Sequence, residues 1–259
     1  MSINTISILG SGWLGLPLAT QLYKQGFHVK TSTRHRERFS EIATTGASAF
    51  YVDIDQISDI QEFLHSDILI INITSKNQTA FANLIQQIEK SPIQKILFIS
   101  STSVYQSLNR EVNEDEHAED HDSILWKIEQ QFRTSNLFQT TILRFSGLID
   151  KRRHPGRFFR NGRRVPQADA PVNLIHLDDC LGIIDAILQQ QAWGETFNGC
   201  ADTHPSKREF YSYARKLMGL PAPEFGTETE VKYKIISNQK IKTKLNYTFQ
   251  RPDLMKIVF

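Results

Sequence analysis

The residues best suited to chemistry lie near the start of the chain, where residues 10–15 read GSGWLG and fit the spacing GxGxxG. Residues 6–9 before them are apolar except for Ser7, and residues 14–23 carry apolar side chains at helical spacing, so the glycines lie between a predicted strand and a predicted helix. In that setting a glycine-rich turn lets backbone amides and the positive end of the helix approach a pyrophosphate. The segment predicts a dinucleotide-binding loop, with a turn that binds nothing as the alternative. The cofactor contacts are assigned to Gly10, Gly12, Trp13, Leu14 and Gly15.

The end of the second predicted strand indicates which dinucleotide is bound. An NAD-binding domain usually places Asp or Glu there to hold the ribose hydroxyls. Residues 31–36 read TSTRHR and hold no carboxylate. The hydroxyl of Thr33 and the guanidinium of Arg34 instead suit a 2′-phosphate. We therefore predict NADP, with NAD as the second choice; the alternative is that Arg34 and Arg36 point into solvent.

Strands and helices that could position this loop alternate along the first 150 residues. Such alternation predicts a Rossmann-type, doubly wound α/β fold with a mostly parallel sheet. We expect a cofactor-binding core over 1–150 and a small substrate-binding region over 151–259, interleaved with the last strand and helices of the same fold. The predicted strands are 6–9, 27–31, 49–52, 67–73, 95–100 and 140–145, and the predicted helices are 14–23, 81–88, 124–132, 177–190 and 206–218.

Composition excludes several classes of protein. The 259 residues are 40% hydrophobic and 22% charged with a formal net charge of +2, which fits a globular chain and gives no reason to expect nucleic acid as a partner. No apolar run approaches the roughly 20 residues that cross a bilayer. Residues 1–10 show no leader pattern, so we expect a cytoplasmic protein. Cys180 and Cys200 are the two cysteines, expected to be buried and reduced, and no Cys/His spacing predicts a metal site.

Charge is concentrated in two blocks. Residues 111–122 hold seven carboxylates and no Lys or Arg, which is typical of a solvated loop. Residues 151–164 hold seven Lys or Arg and no carboxylate. Their guanidinium groups alternate with Phe and Gly, a mixture that suits an anion bound beside an apolar surface, with a solvated loop as the alternative.

Several segments together resemble a known family, the extended or atypical short-chain dehydrogenases/reductases of the NAD(P)-dependent epimerase/dehydratase group. The resemblance implies a seven-stranded Rossmann sheet and a smaller C-terminal part that closes over a substrate crevice. It also implies that Asp53 contacts the adenine, that Ser100 contributes to the cofactor site, and that Ser101 hydrogen-bonds the reacting oxygen. The alternative for Ser101 is a hydroxyl at the end of a strand that bonds to the backbone. The segments are 10–15, Asp53, 98–105 (FISSTSVY), 142–148 (ILRFSGL) and 172–179 (VNLIHLDD).

The chain departs from this family at its proton-transfer couplet, Tyr-x-x-x-Lys, which is absent. In one register Ser123 and Lys127 take the two positions. In a second register, anchored on Glu129, the two positions fall on His121 and Leu125 instead. Lys127 could contact the nicotinamide ribose or be solvated, and His121 could act as acid or base, because imidazole titrates near neutrality, or lie on the surface. The predicted catalytic residues are Ser101, Lys127 and His121.

Four residues are assigned to the substrate: Arg144, Arg157, Asn173 and His176. For Asn173 and His176 a hydrogen-bond network at the entry of a helix is the alternative. The predicted function is an NADP-binding oxidoreductase or epimerase that acts on an anionic, sugar-like small molecule. The alternative function is a non-catalytic NADP-binding sensor or regulator that has lost the couplet. The resemblance leaves a homodimer as one option.

Overall fold

The computed structural model of the chain describes residues 4–228 and 230–259. Its strands are β1 (Thr5–Leu9), β2 (His28–Thr33), β3 (Ser48–Tyr51), β4 (Ile68–Ile71), β5 (Lys95–Ser101), β6 (Glu111–Val112), β7 (Gln139–Phe145), β8 (Gly147–Ile149), β9 (Leu174–His176), β10 (Thr196–Gly199) and β11 (Ile235–Ile236). Its α-helices are α1 (Gly15–Lys24), α2 (Phe39–Ala43), α3 (Gln61–Leu64), α4 (Gln78–Ile88), α5 (Ile124–Arg133), α6 (Leu177–Gln190), α7 (Lys207–Lys216) and α8 (Gln239–Lys244).

Seven strands form the central sheet in the order β10-β7-β5-β4-β1-β2-β3. The pairs β1–β2, β1–β4, β2–β3 and β4–β5 are parallel. The strand order reverses between β1 and β4, and in such sheets ligands bind at the carboxyl ends of the strands on either side of this switch point. The predicted Rossmann-type α/β fold is therefore confirmed. All six predicted strands are present, and β10 is a seventh that the residue pattern did not predict.

Helix boundaries follow local signals closely. Helix α6 has the predicted bounds, and α7 begins after Ser206, whose side chain and that of Glu209 form a reciprocal capping box.

The carboxylate of Asp179, in the first turn of α6, also binds backbone groups outside this helix. It is buried, and it accepts hydrogen bonds from the backbone N–H groups of Gln250 and Arg251 at 2.6 and 3.0 Å. Burial raises the pKa of Asp179 above its usual value.

The chain divides into two compact units, each built from three segments. Unit 1 comprises the described residues up to Ser100 together with His121–Leu143 and Gln191–Thr196, and its core is packed around Phe63, Phe81, Phe98 and Phe132. Unit 2 comprises Ser101–Asp120, Arg144–Gln190 and Phe197–Phe259, and its core includes Val165, Phe210, Tyr211 and Leu254. The boundary predicted at residue 150 falls inside unit 2.

The acidic block is only partly the solvated loop that its composition predicts. Glu114 and Glu119 in unit 2 are each 8% exposed. Glu119 Oε1 lies 2.6 Å from the guanidinium of Arg144, and Glu114 Oε1 accepts the backbone N–H of Asn198 at 2.7 Å. The prediction that the acidic block is solvated is wrong for these two side chains. They are buried, and groups distant in sequence replace their hydrogen bonds to water.

Two further properties concern only the described part of the chain. Within it, no helix is both long enough and apolar enough to cross a bilayer, and no three His, Cys, Asp or Glu side chains are grouped as metal ligands. Cys180 and Cys200 are free and buried, as expected. Burial raises the pKa of both thiols.

Candidate functional site

The glycine loop of unit 1 follows β1 at the switch point of the sheet. Asn72, which follows β4, donates its backbone N–H to the carbonyl of Leu9 at 2.9 Å. Gly10 has a φ of +110°, and a Cβ built on it would lie 2.5 Å from the carbonyl oxygen of Asn72. A Cβ on Gly15 would lie 2.0 Å from the carbonyl oxygen of Gly10. Both positions therefore require glycine for the fold itself.

Gly12 differs from its two neighbours. A Cβ built on this residue would meet no atom within 4 Å, and its φ lies outside the left-handed region. Neither backbone conformation nor packing in the described chain requires glycine here. Helix α1 follows directly and has no acidic residue in its first turn, so no carboxylate of that turn neutralises the positive end of the helix. The face of the loop at Gly12 is open and suited to an anionic group.

The other two predicted loop residues differ in exposure. Leu14 is 2% exposed and belongs to the core, while Trp13 is half-buried. Leu14 contributes its carbonyl to the first turn of α1, where it accepts the N–H of Leu18 at 3.0 Å. Any contact of Leu14 with a ligand must therefore come from its backbone.

The end of β2 forms the rim of this loop. Ser32 Oγ accepts the backbone N–H of Gly10 at 3.0 Å, and Thr33 Oγ1 accepts the N–H of His35 at 3.1 Å. Arg34 is exposed, with its guanidinium 3.9 Å from the carboxylate of Asp55. Nη2 of Arg38 donates to the carbonyl of Ser11 inside the glycine loop at 2.9 Å, a contact that was not predicted from the sequence. The sequence pattern that could have indicated this residue is the occurrence of arginine at every second position, 34, 36 and 38.

Asp53, the predicted adenine contact, lies after β3. Its carboxylate accepts the backbone N–H of Asp55 at 3.0 Å and so begins the short 3₁₀ turn Ile54–Gln56. Asp55 in turn accepts from the amide of Asn77 at 2.8 Å. The carboxylate of Asp53 thus stabilises the turn, and the carboxylate of Asp55 links the turn to the start of α4.

Ser100 and Glu129 lie together in unit 1. Ser100 Oγ donates to Glu129 Oε1 at 2.5 Å, and Glu129 is fully buried in α5. His121 and Lys127 lie nearer the surface: the ring of His121 stacks on Trp126 at 4.3 Å between centroids, and Lys127 Nζ is 3.8 Å from the carboxylate of Asp122.

The predicted residues of unit 2 fall in separate bonding environments. Ser101 Oγ accepts the N–H of Ser103 at 3.1 Å. Arg144, 2% exposed, donates to Glu119 at 2.6 Å and to the hydroxyl of Tyr105 at 2.7 Å. Tyr105 in turn donates to Asn198 Oδ1 at 3.1 Å. Burial raises the pKa of Tyr105 to about 12, so this phenol stays protonated at neutral pH.

Asn173 and His176 are engaged by backbone groups. The amide of Asn173 donates to the carbonyl of Lys234 at 2.9 Å and accepts the N–H of Ile236 at 2.9 Å, so it holds the segment that contains β11. His176 Nδ1 accepts the N–H of Asp178 at 3.2 Å. Burial lowers the pKa of His176. Arg157, by contrast, is exposed. Roles of these residues toward a substrate stay predictions.

Comparison with known proteins gives one family and one fold. Residues 10–173 match a family described as NAD(P)H-binding. Protein YeeZ of Escherichia coli strain K12 is 30% identical over 268 residues, with 97% of each chain covered. A protein of Methylobacillus flagellatus assigned to the NAD-dependent epimerase/dehydratases has a TM-score of 0.79 at 24% identity, covering 97% of this chain and 95% of its own. UDP-glucuronic acid 4-epimerase of Bacillus cereus in complex with NAD has a TM-score of 0.80 at 18% identity, with the same coverage.

The two solved structures share the fold of this chain, which is the fold that the resemblance implies. The family match begins at the glycine loop, ends at residue 173 just before β9, and covers more than half of the chain. The chain belongs to the NAD(P)H-binding family.

Proposed function

We propose that the chain is an NADP-dependent oxidoreductase or epimerase that moves a hydride between the nicotinamide and a carbinol carbon of an anionic, sugar-like substrate. The observation that carries cofactor binding is Gly12. Between two glycines that the fold requires, this third one faces open space and has an ordinary backbone conformation. A pyrophosphate held against the loop accounts for the missing side chain.

Three arginines near the rim support NADP over NAD. Arg34 and Arg36 follow β2, and Arg38 reaches the carbonyl of Ser11. A 2′-phosphate carries close to two negative charges at neutral pH, and guanidinium groups pair with it through two hydrogen bonds at once. In the second-strand position where NAD-binding domains carry a carboxylate, Thr33 supplies only a hydroxyl.

The proposed proton transfer rests on Ser101 and His121. The bond between Ser100 and Glu129 supports the register anchored on Glu129, in which His121 takes the position of the family's tyrosine. In oxidation of the substrate, His121 would accept the proton of the substrate hydroxyl on its imidazole, and the nicotinamide, when bound, would supply the acceptor for the hydride from the carbinol carbon. Ser101 orients the reacting oxygen, and Lys127 contacts the nicotinamide ribose.

An anionic substrate is supported by the basic segment 151–164, with Arg157 as its exposed candidate. The Bacillus cereus neighbour is named for a UDP-sugar acid, which fits this class of substrate. Arg144 differs from Arg157 in its charge environment, because the carboxylate of Glu119 already compensates the charge of Arg144.

The second candidate function is an NADP-binding sensor without turnover. The observation that favours it is the absence of Tyr-x-x-x-Lys, with Leu125 in the lysine position of the register anchored on Glu129. The aliphatic side chain of Leu125 cannot lower the pKa of a neighbouring acid as an ammonium group does.

Calorimetric titration with NADPH and NADH tests cofactor binding. Gly12→Val places a side chain in the open space of the loop, and we expect NADPH affinity to fall at least tenfold with the thermal midpoint unchanged. Gly219→Asn is the matched control, since Gly219 is also open and Asn tolerates its φ of +67°. Wild-type protein that binds neither dinucleotide at millimolar concentration would refute both candidate functions.

Turnover separates the two candidates. Aldehydes, ketones and keto-sugars are offered with NADPH, and sugar alcohols and sugar acids with NADP. Turnover that Ser101→Ala reduces at least a hundredfold, with NADPH affinity unchanged, supports the enzyme. NADPH binding without turnover on the whole panel favours the sensor.

A further inference from the structure

Unit 2 contains a cavity of about 220 Å³ beside the turn at residues 160–163. Its lining residues include three arginines, Arg160, Arg163 and Arg215. Phe159 and Pro223 give it an apolar wall, and among the described residues of its lining Glu224 is the one carboxylate. We call this cavity the arginine pocket.

A tight turn carries two of these arginines at its ends. Asn161 and Gly162 have φ values of +56° and +74°, and the N–H of Arg163 donates to the carbonyl of Arg160 at 3.2 Å. Two consecutive left-handed residues closed by this bond correspond to a type I′ turn, which places its first and last residues opposite each other. Two positively charged side chains are therefore attached to the ends of one tight turn.

The third charge is fixed in place by uncharged acceptors. Arg215 lies on α7, and its Nε and Nη1 donate to the carbonyls of Pro221 and Phe159 at 2.5 and 3.1 Å. These bonds orient the guanidinium and leave its charge uncompensated. The carboxylate of Glu224 lies 3.2 Å from Nε of Arg164, a fourth arginine outside the lining. The pocket therefore carries an excess of positive charge that its own residues do not neutralise.

We propose that the arginine pocket binds the phosphoryl group of a small phosphomonoester, such as a sugar phosphate. A phosphomonoester offers three acceptor oxygens and nearly two negative charges, which suits three guanidinium groups better than the two oxygens of a carboxylate. The cavity exceeds the space of inorganic phosphate, whose five heavy atoms fill less than 220 Å³ if each takes the roughly 30 Å³ of a water molecule. The apolar wall of Phe159 and Pro223 receives the carbon part of the ligand.

This inference does not rest on the proposed hydride transfer, since none of the three arginines is assigned to the dinucleotide or to proton transfer. It gives the basic segment of the sequence a definite ligand class. It also adds Arg215, which lies outside that segment and which its charge pattern could not reveal.

The test is calorimetric titration of the full chain with glucose 6-phosphate, inorganic phosphate and glucose, at pH 7.5 and constant ionic strength. We expect saturable binding of one glucose 6-phosphate, weaker binding of inorganic phosphate, and none of glucose. The double variant Arg160→Gln/Arg163→Gln should weaken glucose 6-phosphate binding at least tenfold, because hydrogen bonds to charged groups are the strong ones. Arg215→Lys, which keeps the charge but loses the planar fork, should weaken it less.

The matched control is Lys151→Gln/Lys216→Gln, which removes two exposed charges from the same segment and helix without touching the lining. Equal loss in this control would show a nonspecific charge effect and overturn the proposal. So would the absence of saturable binding in the wild type, or inorganic phosphate binding as tightly as glucose 6-phosphate. If Gly12→Val abolishes glucose 6-phosphate binding, the phosphate binds at the glycine loop, and the pocket is refuted while NADP binding stands.

Discussion

The hydroxyl of Ser100 donates to the carboxylate of Glu129 at 2.5 Å, and both side chains are buried. The bond joins the carboxyl-terminal part of β5 to the middle of α5 within unit 1. It fixes which face of α5 meets the sheet, and with it the position of the residues that precede the helix. A carboxylate in such surroundings is stable only with hydrogen-bond partners.

Ser100→Ala should therefore lower the free energy of unfolding by about 2 kcal/mol, since a hydrogen bond to a charged group is lost inside the protein. Glu129→Gln should cost less, because its amide oxygen can still accept from Ser100. Urea denaturation measures both changes. Ser107→Ala, on an exposed serine, is the control; a Ser100→Ala variant as stable as this control would mean that the bond contributes nothing.

Gly15→Ala and Gly12→Ala should differ sharply in stability. A methyl group on Gly15 would lie 2.0 Å from the carbonyl oxygen of Gly10, so the loop must shift, at a cost of about 3 kcal/mol. The same change at Gly12 meets open space and should alter stability by no more than about 0.5 kcal/mol. Thermal and urea unfolding compare the pair directly. Similar losses in both variants would contradict the assignment of Gly12 to a ligand.

Arg34→Gln and Arg38→Gln should each weaken NADPH binding about tenfold and leave NADH binding within twofold, because only NADPH carries the 2′-phosphate. Lys24→Gln, at the end of α1, removes an exposed charge away from the rim and is the control. Calorimetry with both dinucleotides gives the four affinities needed for each variant. Equal losses of affinity for NADPH and NADH would show that these arginines do not bind the 2′-phosphate.

Acidification should destabilise the protein through His154 and His176. Nδ1 of each ring accepts a backbone N–H, from Gly156 and Asp178 respectively, a bond that Nδ1 can accept only while it carries no proton. Burial lowers the pKa of each below the ordinary 6.5, although Asp178 opposes this at His176. The unfolded chain then binds protons more tightly than the folded one. Their stabilising contribution is complete above pH 6.5 and is lost as the pH falls from there through the folded pKa.

The double variant His154→Asn/His176→Asn tests this pH dependence, because Asn Oδ1 occupies the place of Nδ1 and accepts the same N–H without titrating. Between pH 7.5 and 5.5 the free energy of unfolding of this variant should decrease less than that of the wild type. Loss of the ring contact with Phe259 lowers the stability of the variant at every pH and does not affect this comparison. His28→Asn/His65→Asn changes two exposed rings and should keep the wild-type slope. A wild-type slope in the first variant would rule the two buried rings out as its source.

Tyr105→Phe should lower the free energy of unfolding by about 2 kcal/mol, since Arg144 loses an acceptor and Asn198 Oδ1 loses its donor in a buried environment. The loss should be the same at pH 6 and pH 8, because the raised pKa of Tyr105 keeps the phenol protonated at both. Tyr51→Phe, on a tyrosine 40% exposed, is the control for removal of a hydroxyl. A strongly pH-dependent loss would contradict the protonated phenol.

Local signals in the sequence determined the fold class, the glycine loop, the capping box at Ser206 and the bounds of α6. Each depends on spacing within a few residues, since apolar periodicity, helix capping and tight turns are short-range properties. The tertiary structure decided which side chains meet: Arg38 with Ser11, Ser100 with Glu129, and Arg144 with Glu119. These partners are 25 to 29 residues apart, and the order of strands in the sheet, which local spacing does not encode, brings them together. The acidic block shows the same division, because its composition predicts water around every carboxylate, while burial beside distant partners selects Glu114 and Glu119 for the interior.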